Sequence, residues 1–399
     1  MEKPTILKGR YVWDGLQEKA IPNGAILIEK GFVCAVGPSA EILTAFHDAV
    51  YDWPQATLLP GLIDSHTHLS MDGSLENYLD RMSDNAEALT RRATAMMRKD
   101  LIAGVTTCRC LGDKEFLDIG CREAVEHGEV SGPRLLVATR GIRAPHGHGF
   151  VGYPFKGEEE IRRAIRENIA RGADLIKIYI TGTLKGEGNL PPYLSREEIR
   201  LAIEESHAAG LRIASHCVGG TGLDWAVELG LDTLEHAYHI TARQTEQLAN
   251  SNTALVLTPG AVLSEERVRR LPPALIQGHL EERDRMFASM ALTVKARIPF
   301  GVGTDGMHGD LADDIACLIA LGATNREALQ AATVRGARIC GIENETGSLR
   351  QGMRADIIAV QGNPLEDTGA LRKVIAVISK GKLVHEGGKL KQESVYGPR

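Results

Sequence analysis

Short apolar runs alternate with longer amphipathic stretches through most of this chain. The runs fall at residues 58–66, 104–110, 134–140, 174–180, 211–217, 233–236, 254–258 and 299–304, each of strand length. Between them the apolar positions take helical spacing. Ile161, Ala164, Ile165 and Ile169 form the stripe of a helix lying on a sheet. Ser195-Arg196-Glu197-Glu198 reads as a capping box, followed by Ile199, Ala202, Ile203 and Ser206 on one face and closed by Gly210. Thr241-Ala242-Arg243-Gln244 and Thr324-Asn325-Arg326-Glu327 predict two more helix starts. Strands alternating with helices in this way make an α/β protein with a parallel sheet. Eight such units match a (β/α)8 TIM barrel, placed over residues 58–349. The other arrangement, an open doubly wound sheet, would need a Gly-rich phosphate loop after the first strand, where the chain has His66-Thr67-His68.

Both chain ends read as β structure. Residues 25–28 and 32–36 flank Glu29-Lys30-Gly31, and residues 374–378 and 382–384 flank Ser379-Lys380-Gly381, predicting a hairpin at each end. Residues 355–360 add a further strand. Neither end carries enough apolar residues for its own core, so the expectation is one small composite β-sandwich domain built from residues 1–57 and 350–399.

Composition narrows the function classes. With 43% hydrophobic residues the chain can bury a large core, and the net charge of −6 comes from interspersed acids and bases. No basic footprint for nucleic acid or anionic membrane is present. No run approaches a membrane span, and Met1-Glu2-Lys3-Pro4 does not open a signal peptide. The seven cysteines are odd in number and lie mostly in apolar runs, which predicts reduced thiols and a cytoplasmic protein. Cys108-x-Cys110 lacks a second pair, so it is not read as a metal site.

The chemistry concentrates where the strands end. In Pro60-Gly61-Leu62-Ile63-Asp64-Ser65-His66-Thr67-His68, strand alternation puts His66 and His68 on one side, at a spacing one metal ion can bridge. Lys177 sits inside an apolar strand, where a charged amine is costly unless paired or neutralised. A neutral lysine can capture carbon dioxide as a carbamate, an anion with two oxygens able to bridge two metals. His216, His236 and Asp305 each close a strand. Singly, each has a bland reading as a core histidine or a helix cap; six in order at strand ends predict a metal cage.

These residues, with Gly303-Thr304-Asp305 and the stretch Gly347-Ser348-Leu349-Arg350-Gln351-Gly352-Met353-Arg354-Ala355-Asp356, resemble the amidohydrolase superfamily over essentially the whole chain. The flavour is similar to the prolidase-like and imidazolonepropionase-related branch. That resemblance implies two divalent ions, zinc first, with iron, manganese and cobalt left open. His66, His68 and Asp305 would bind the more buried ion, His216 and His236 the other, and carboxylated Lys177 would bridge them. The implied reaction is hydrolysis of a C–N bond by a metal-activated hydroxide, with Asp305 as general acid/base. The substrate would be the amide of a dipeptide or N-acyl amino acid, a cyclic amide, or a urea. A mononuclear deaminase or an imidazolonepropionase-like hydrolase is the alternative, disfavoured because deaminases of the family generally lack the bridging lysine. Substrate contacts are sought in Arg140-Gly141-Ile142-Arg143-Ala144-Pro145-His146-Gly147-His148-Gly149, a basic loop after the third strand. Arg140 or Arg143 could hold a carboxylate, and His146, His148 or Tyr238 could hydrogen-bond the carbonyl oxygen. A solvated loop and a packing role for Tyr238 are equally open, and His239 and His308 lie beside ligand positions. Departures from the branch are Thr181-Gly182-Thr183, where a Ser-Gly-Gly turn is frequent, and Cys217, where a small residue is usual. Residues 184–192 read as a mobile loop that closes over the pocket. Enzymes of this type commonly self-associate, so a homo-oligomer is expected, acting on a small molecule.

Overall fold

A computed structural model of the chain describes residues 4–43, 50–73, 78–182, 190–271, 273–296 and 298–391. Among the described residues, eight parallel strands carry the middle of the chain: Leu62–Thr67, Val105–Cys110, Arg134–Val137, Leu175–Tyr179, Arg212–Cys217, Thr233–His236, Ala254–Leu257 and Phe300–Val302. The first three form one sheet and the last five another, and hydrogen bonds join the two at both edges. The Asp174 N–H donates to the Val137 carbonyl at 2.8 Å on one side, and the Asp305 N–H to the His66 carbonyl at 2.8 Å on the other. The result is a barrel-like mixed α/β fold in which first and last strands are neighbours.

Helices cover these strands in the manner their apolar stripes require. Ile161, Ala164 and Ile165 on the helix Gly157–Ala170 are buried in one cluster with Ile176 and Ile178 of the adjacent strand and Ile199, Ala202 and Ile203 of the next helix. Full burial of each isoleucine contributes about 2 kcal/mol. All three expected helix starts are capping boxes: Ser195 with Glu198, Thr241 with Gln244, and Thr324 with Glu327.

Among the described residues, the N-terminal and C-terminal segments meet in one nine-stranded sheet. Its central pairing sets Val50–Pro60 antiparallel to Ile357–Gln361, with Leu58 opposite Ala359. Leu7, Ile26, Leu58, Ile357 and Ile378 then share one buried cluster, so neither end buries its apolar face without the other. Both expected hairpins form, Gly24–Glu29 with Phe32–Pro38 and Val374–Ser379 with Lys382–Glu386. Lys30, Gly31, Lys380 and Gly381 all have positive φ, the conformation that two-residue turns between twisted strands demand. The two turns also touch: a Cβ on Gly381 would lie 2.7 Å from the Gly31 Cα, so a side chain there would push the hairpins apart.

The apolar run from residue 58 to 66, expected as one strand, is divided at Gly61. Residues up to Pro60 belong to the terminal sheet and residues from Leu62 to the parallel strands. The cause is space as well as direction. A Cβ at Gly61 would lie 2.2 Å from the Thr106 Oγ1, and the Gly61 N–H donates to the Asp356 carbonyl at 2.9 Å. No described helix is long and apolar enough to cross a membrane. All seven cysteines are free.

Gly61→Ala is expected to lower stability by about 1–3 kcal/mol, because the Thr106 side chain cannot withdraw from a packed strand. Gly120→Ala, in the helix Leu117–Glu126 with nothing within 4 Å of the added Cβ, is expected to raise it by about 0.5–1 kcal/mol. Urea unfolding of both variants reads the contrast, and equal effects would contradict the packing account.

Candidate metal centre

His66, His236 and Asp305 converge beyond the strand ends, each offering a ligand atom within 4.8 Å of the others. Asp305 Oδ1 lies 3.4 Å from His66 Nε2 and 3.5 Å from His68 Nε2. The His216 ring is centred 4.4 Å from that of His236, and the His66 ring 4.7 Å from it. Lys177 is fully buried beside them, its Nζ 5.1 Å from the centre of the Tyr179 ring.

Backbone conformation aims two of these groups. His236 has φ 79° and Asp305 φ 53°, left-handed values uncommon outside glycine, though Asp and His adopt them more readily than most residues. Ala237, with φ 54°, continues the turn after His236. Strand alternation alone would have sent Glu235 and His236 to opposite sides; the turn brings both into the same region.

Three of these histidines are oriented through the second nitrogen. His66 Nδ1 lies 2.8 Å from Glu235 Oε2, His68 Nδ1 2.7 Å from the Gly112 carbonyl oxygen, and His236 Nδ1 2.8 Å from Thr258 Oγ1. An Nδ1 facing a carboxylate or carbonyl donates its hydrogen, which leaves the lone pair of His66 and His68 on Nε2. Glu235 is in turn gripped by Arg109, whose Nη2 donates to both carboxylate oxygens at 2.8 and 3.0 Å. Arg109 also donates to the Ser65 carbonyl and to Thr233 Oγ1. Both partners of this ion pair are buried.

Burial sets the electrostatics. It pulls the Lys177 amine down to about 8, against the opposing charges of Glu235 and Asp305. It also lowers the pKa of His66, His216 and His236, so these rings are neutral, as a ligand must be. Burial would raise the Glu235 carboxylate, yet the Arg109 charge and the His66 hydrogen bond hold it low. Within this group of described residues, two buried nitrogens, His66 Nε2 and Lys177 Nζ, have no hydrogen-bond partner. Orphaned donors and acceptors of this kind, among neutral imidazoles and one carboxylate, fit a site for a divalent cation.

The loop after the third strand is less open than its glycines suggest. Added Cβ atoms at Gly141, Gly149 and Gly152 would lie 2.7, 2.3 and 2.9 Å from the Tyr179 ring, so these glycines let the loop wrap that ring. Wrapping brings the His148 ring to 4.5 Å from that of His216, and burial takes His148 down to about 4. His146 sits edge-on to Tyr193. Arg140 turns outward to an ion pair with Glu167 at 2.5 Å and stacks over Phe116. The Arg143 Nη1 donates to the Ala144 and Pro145 carbonyls, and its plane covers Phe150. Tyr238 hydrogen-bonds Thr258, the group that holds His236. His308 pairs with Asp100, whose charge overcomes burial and raises it to about 9; His239 lies 3.9 Å from Glu282. The Thr181 hydroxyl accepts the Val218 N–H. Residues 183–189, and with them most of the expected mobile loop, lie outside the described residues.

Arg109, Glu235 and Thr258 were not anticipated. The available signal was two lone, opposite charges inside buried strands, Arg109 in Val105–Cys110 and Glu235 in Thr233–His236. Read together they demand each other.

The model of the amidohydrolase family matches residues 57–384. Ochratoxinase from Aspergillus niger is 26% identical over 94% of this chain and 84% of its own length. Imidazolonepropionase from Shewanella frigidimarina is 26% identical over 84% and 85%. The crystal structure of a putative prolidase from Bifidobacterium longum superposes with a TM-score of 0.82 at 26% identity, covering 98% of this chain and 97% of that one.

Arg109→Leu should cost about 3–5 kcal/mol in denaturant unfolding, because it strands the buried Glu235 carboxylate. Arg109→Leu with Glu235→Leu should recover part of that loss. A double variant no more stable than the single would mean that the pair is not the source.

Proposed function

The chain belongs to the amidohydrolase family, hydrolases of carbon–nitrogen bonds, and from that premise we propose that it cleaves an amide of a dipeptide or N-acyl amino acid, a cyclic amide or a urea at a centre of two divalent ions. The observation that carries the reading is Lys177: a buried amine with no hydrogen-bond partner, in the same site as an orphaned His66 Nε2. In this reading His66, His68 and Asp305 hold one ion and His216 and His236 the other. Bound there, the ions supply Lewis acidity toward the substrate carbonyl and the attacking water, and the nitrogen-rich ligand set favours zinc.

The residues' own parts follow from their environments. With its amine lowered to about 8, Lys177 is partly neutral near pH 7 and adds carbon dioxide, losing a proton to give a carbamate. That step would replace a costly buried cation by an anion whose oxygens could serve as further ligands. Of the two carboxylates, Asp305 is the one with exposed surface, 25% of its side chain against 0% for Glu235. It therefore meets the substrate, accepts a proton from the attacking water and passes it to the departing nitrogen. His148, neutral and packed by His216, donates to the oxygen that becomes negative. Of the two loop arginines, Arg143 keeps the role of holding a substrate carboxylate, since Arg140 is engaged with Glu167. Tyr238 acts through Thr258 instead of on substrate. The same reading divides the chain into a (β/α)8 barrel, expected over residues 58–349 and starting past the break at Gly61, and a β-sandwich of the terminal segments, expected as 1–57 with 350–399, working as a homo-oligomer in the cytoplasm.

One observation favours a second reading. The three-residue group His66, His236 and Asp305 alone suits a single ion, and a relative is an imidazolonepropionase. Metal content separates the two. Purified protein should hold about two metals per chain by plasma mass spectrometry. Lys177→Ala should lose activity, partly restored by short-chain carboxylic acids that replace the carbamate. One metal in both proteins with activity unchanged would remove the two-ion reading. Screening N-acyl amino acids, dipeptides, lactams and aryl ureas identifies the substrate.

A further inference from the structure

Three residues beyond Asp305, His308 is fully buried with both ring nitrogens engaged. Nδ1 lies 2.7 Å from Asp100 Oδ2, and Nε2 lies 3.0 Å from the carbonyl oxygen of His68. The other oxygen of Asp100 accepts the Gly309 N–H at 2.7 Å. Asp100 itself is buried near the end of the helix Ala86–Ile102. Both ring nitrogens face acceptors, so both donate, and the ring is held from two sides by a carboxylate and by the backbone of a ligand residue.

The placement bears on one distance. His68 lies at the end of the first parallel strand and Asp305 in the turn after the last, and their ligand atoms are 3.5 Å apart. That separation depends on how the strand end and the turn are fixed to one another. Asp64 fixes the level below: its carboxylate accepts from the Thr304 N–H at 3.1 Å, the Thr304 hydroxyl at 2.6 Å and the His66 N–H at 3.0 Å. The level above is held by His308, which grips the His68 carbonyl, and by Asp100, which grips His308 and Gly309. The turn between them contains Asp305 in the left-handed region, with φ 53°, a conformation held from both sides by these bonds.

We propose that Asp100 and His308 are positioning residues, a buried carboxylate–imidazole clamp that sets the spacing of His68 and Asp305. The role rests on the metal-centre reading above. Neither residue would touch substrate or metal.

Asp100→Asn, which keeps the shape of the side chain, and His308→Gln test the clamp. Zinc titrated into the metal-free variants against a chromophoric chelator should bind about 10–100-fold more weakly than in the wild type. The ligand-field bands of the cobalt-substituted variants should shift. The double variant should be no worse than the poorer single, because the two residues act as one device. Wild-type affinity and unshifted cobalt bands in the folded variants, or losses that add in the double variant, would overturn the proposal. If His308→Gln does not fold, Asp100→Asn decides by the same measurements. A wild-type protein that binds no metal would defeat the metal-centre reading instead. The clamp is then read from hydrogen exchange in metal-free Asp100→Asn: faster exchange confined to the amides of residues 68–71 and 305–310 supports it, and unchanged exchange there sinks it.

Discussion

The Glu235 carboxylate is the constraint around which this structure is arranged. It is buried, and a charge without water must be met by other charges and hydrogen-bond donors. Arg109 meets it from the second parallel strand, and His66 meets it from the first. One carboxylate thus ties three strands that are far apart in sequence and determines which nitrogen of His66 is left for a ligand. Much of the remaining site consists of the same device at other positions, with Gly112 and Thr258 taking the part of Glu235.

Removing water also explains why Lys177 can sit where it does. In solvent its amine would be charged and strongly hydrated; inside the ring of strands the charge is penalised and more of the amine is neutral near pH 7. The cost of orphaned nitrogens and of left-handed backbone at His236 and Asp305 is borne by the packing of eight strands and their helices. Such local strain persists only where a large surrounding core leaves it no way to relax. Wrapping Tyr179 with three glycines serves the same end, since it brings the loop after the third strand against His216.

The strands were legible because buried parallel strands are written as unbroken apolar runs, and the observed bounds differ from the expected ones by a few residues. Helix starts were legible because a capping box is a local motif of four residues. The break at Gly61 was not, since it depends on Thr106, which is distant in sequence. Arg140 shows the opposite limit. A basic residue in a loop at the site's mouth invited a substrate role, and only the folded chain reveals Glu167 and Phe116 taking up its guanidinium.

By itself the order of residues determined which elements form and which side chains stand at strand ends, because apolar periodicity, turn glycines and caps act over a few neighbouring positions. It determined the chemical types available there: imidazoles, one amine and one carboxylate. Only the tertiary structure decided which of those groups face each other, which nitrogen of each ring is free, and which charges lose their water. Those outcomes depend on distances across the barrel between residues up to hundreds of positions apart, and on a desolvation that exists only once the core has closed.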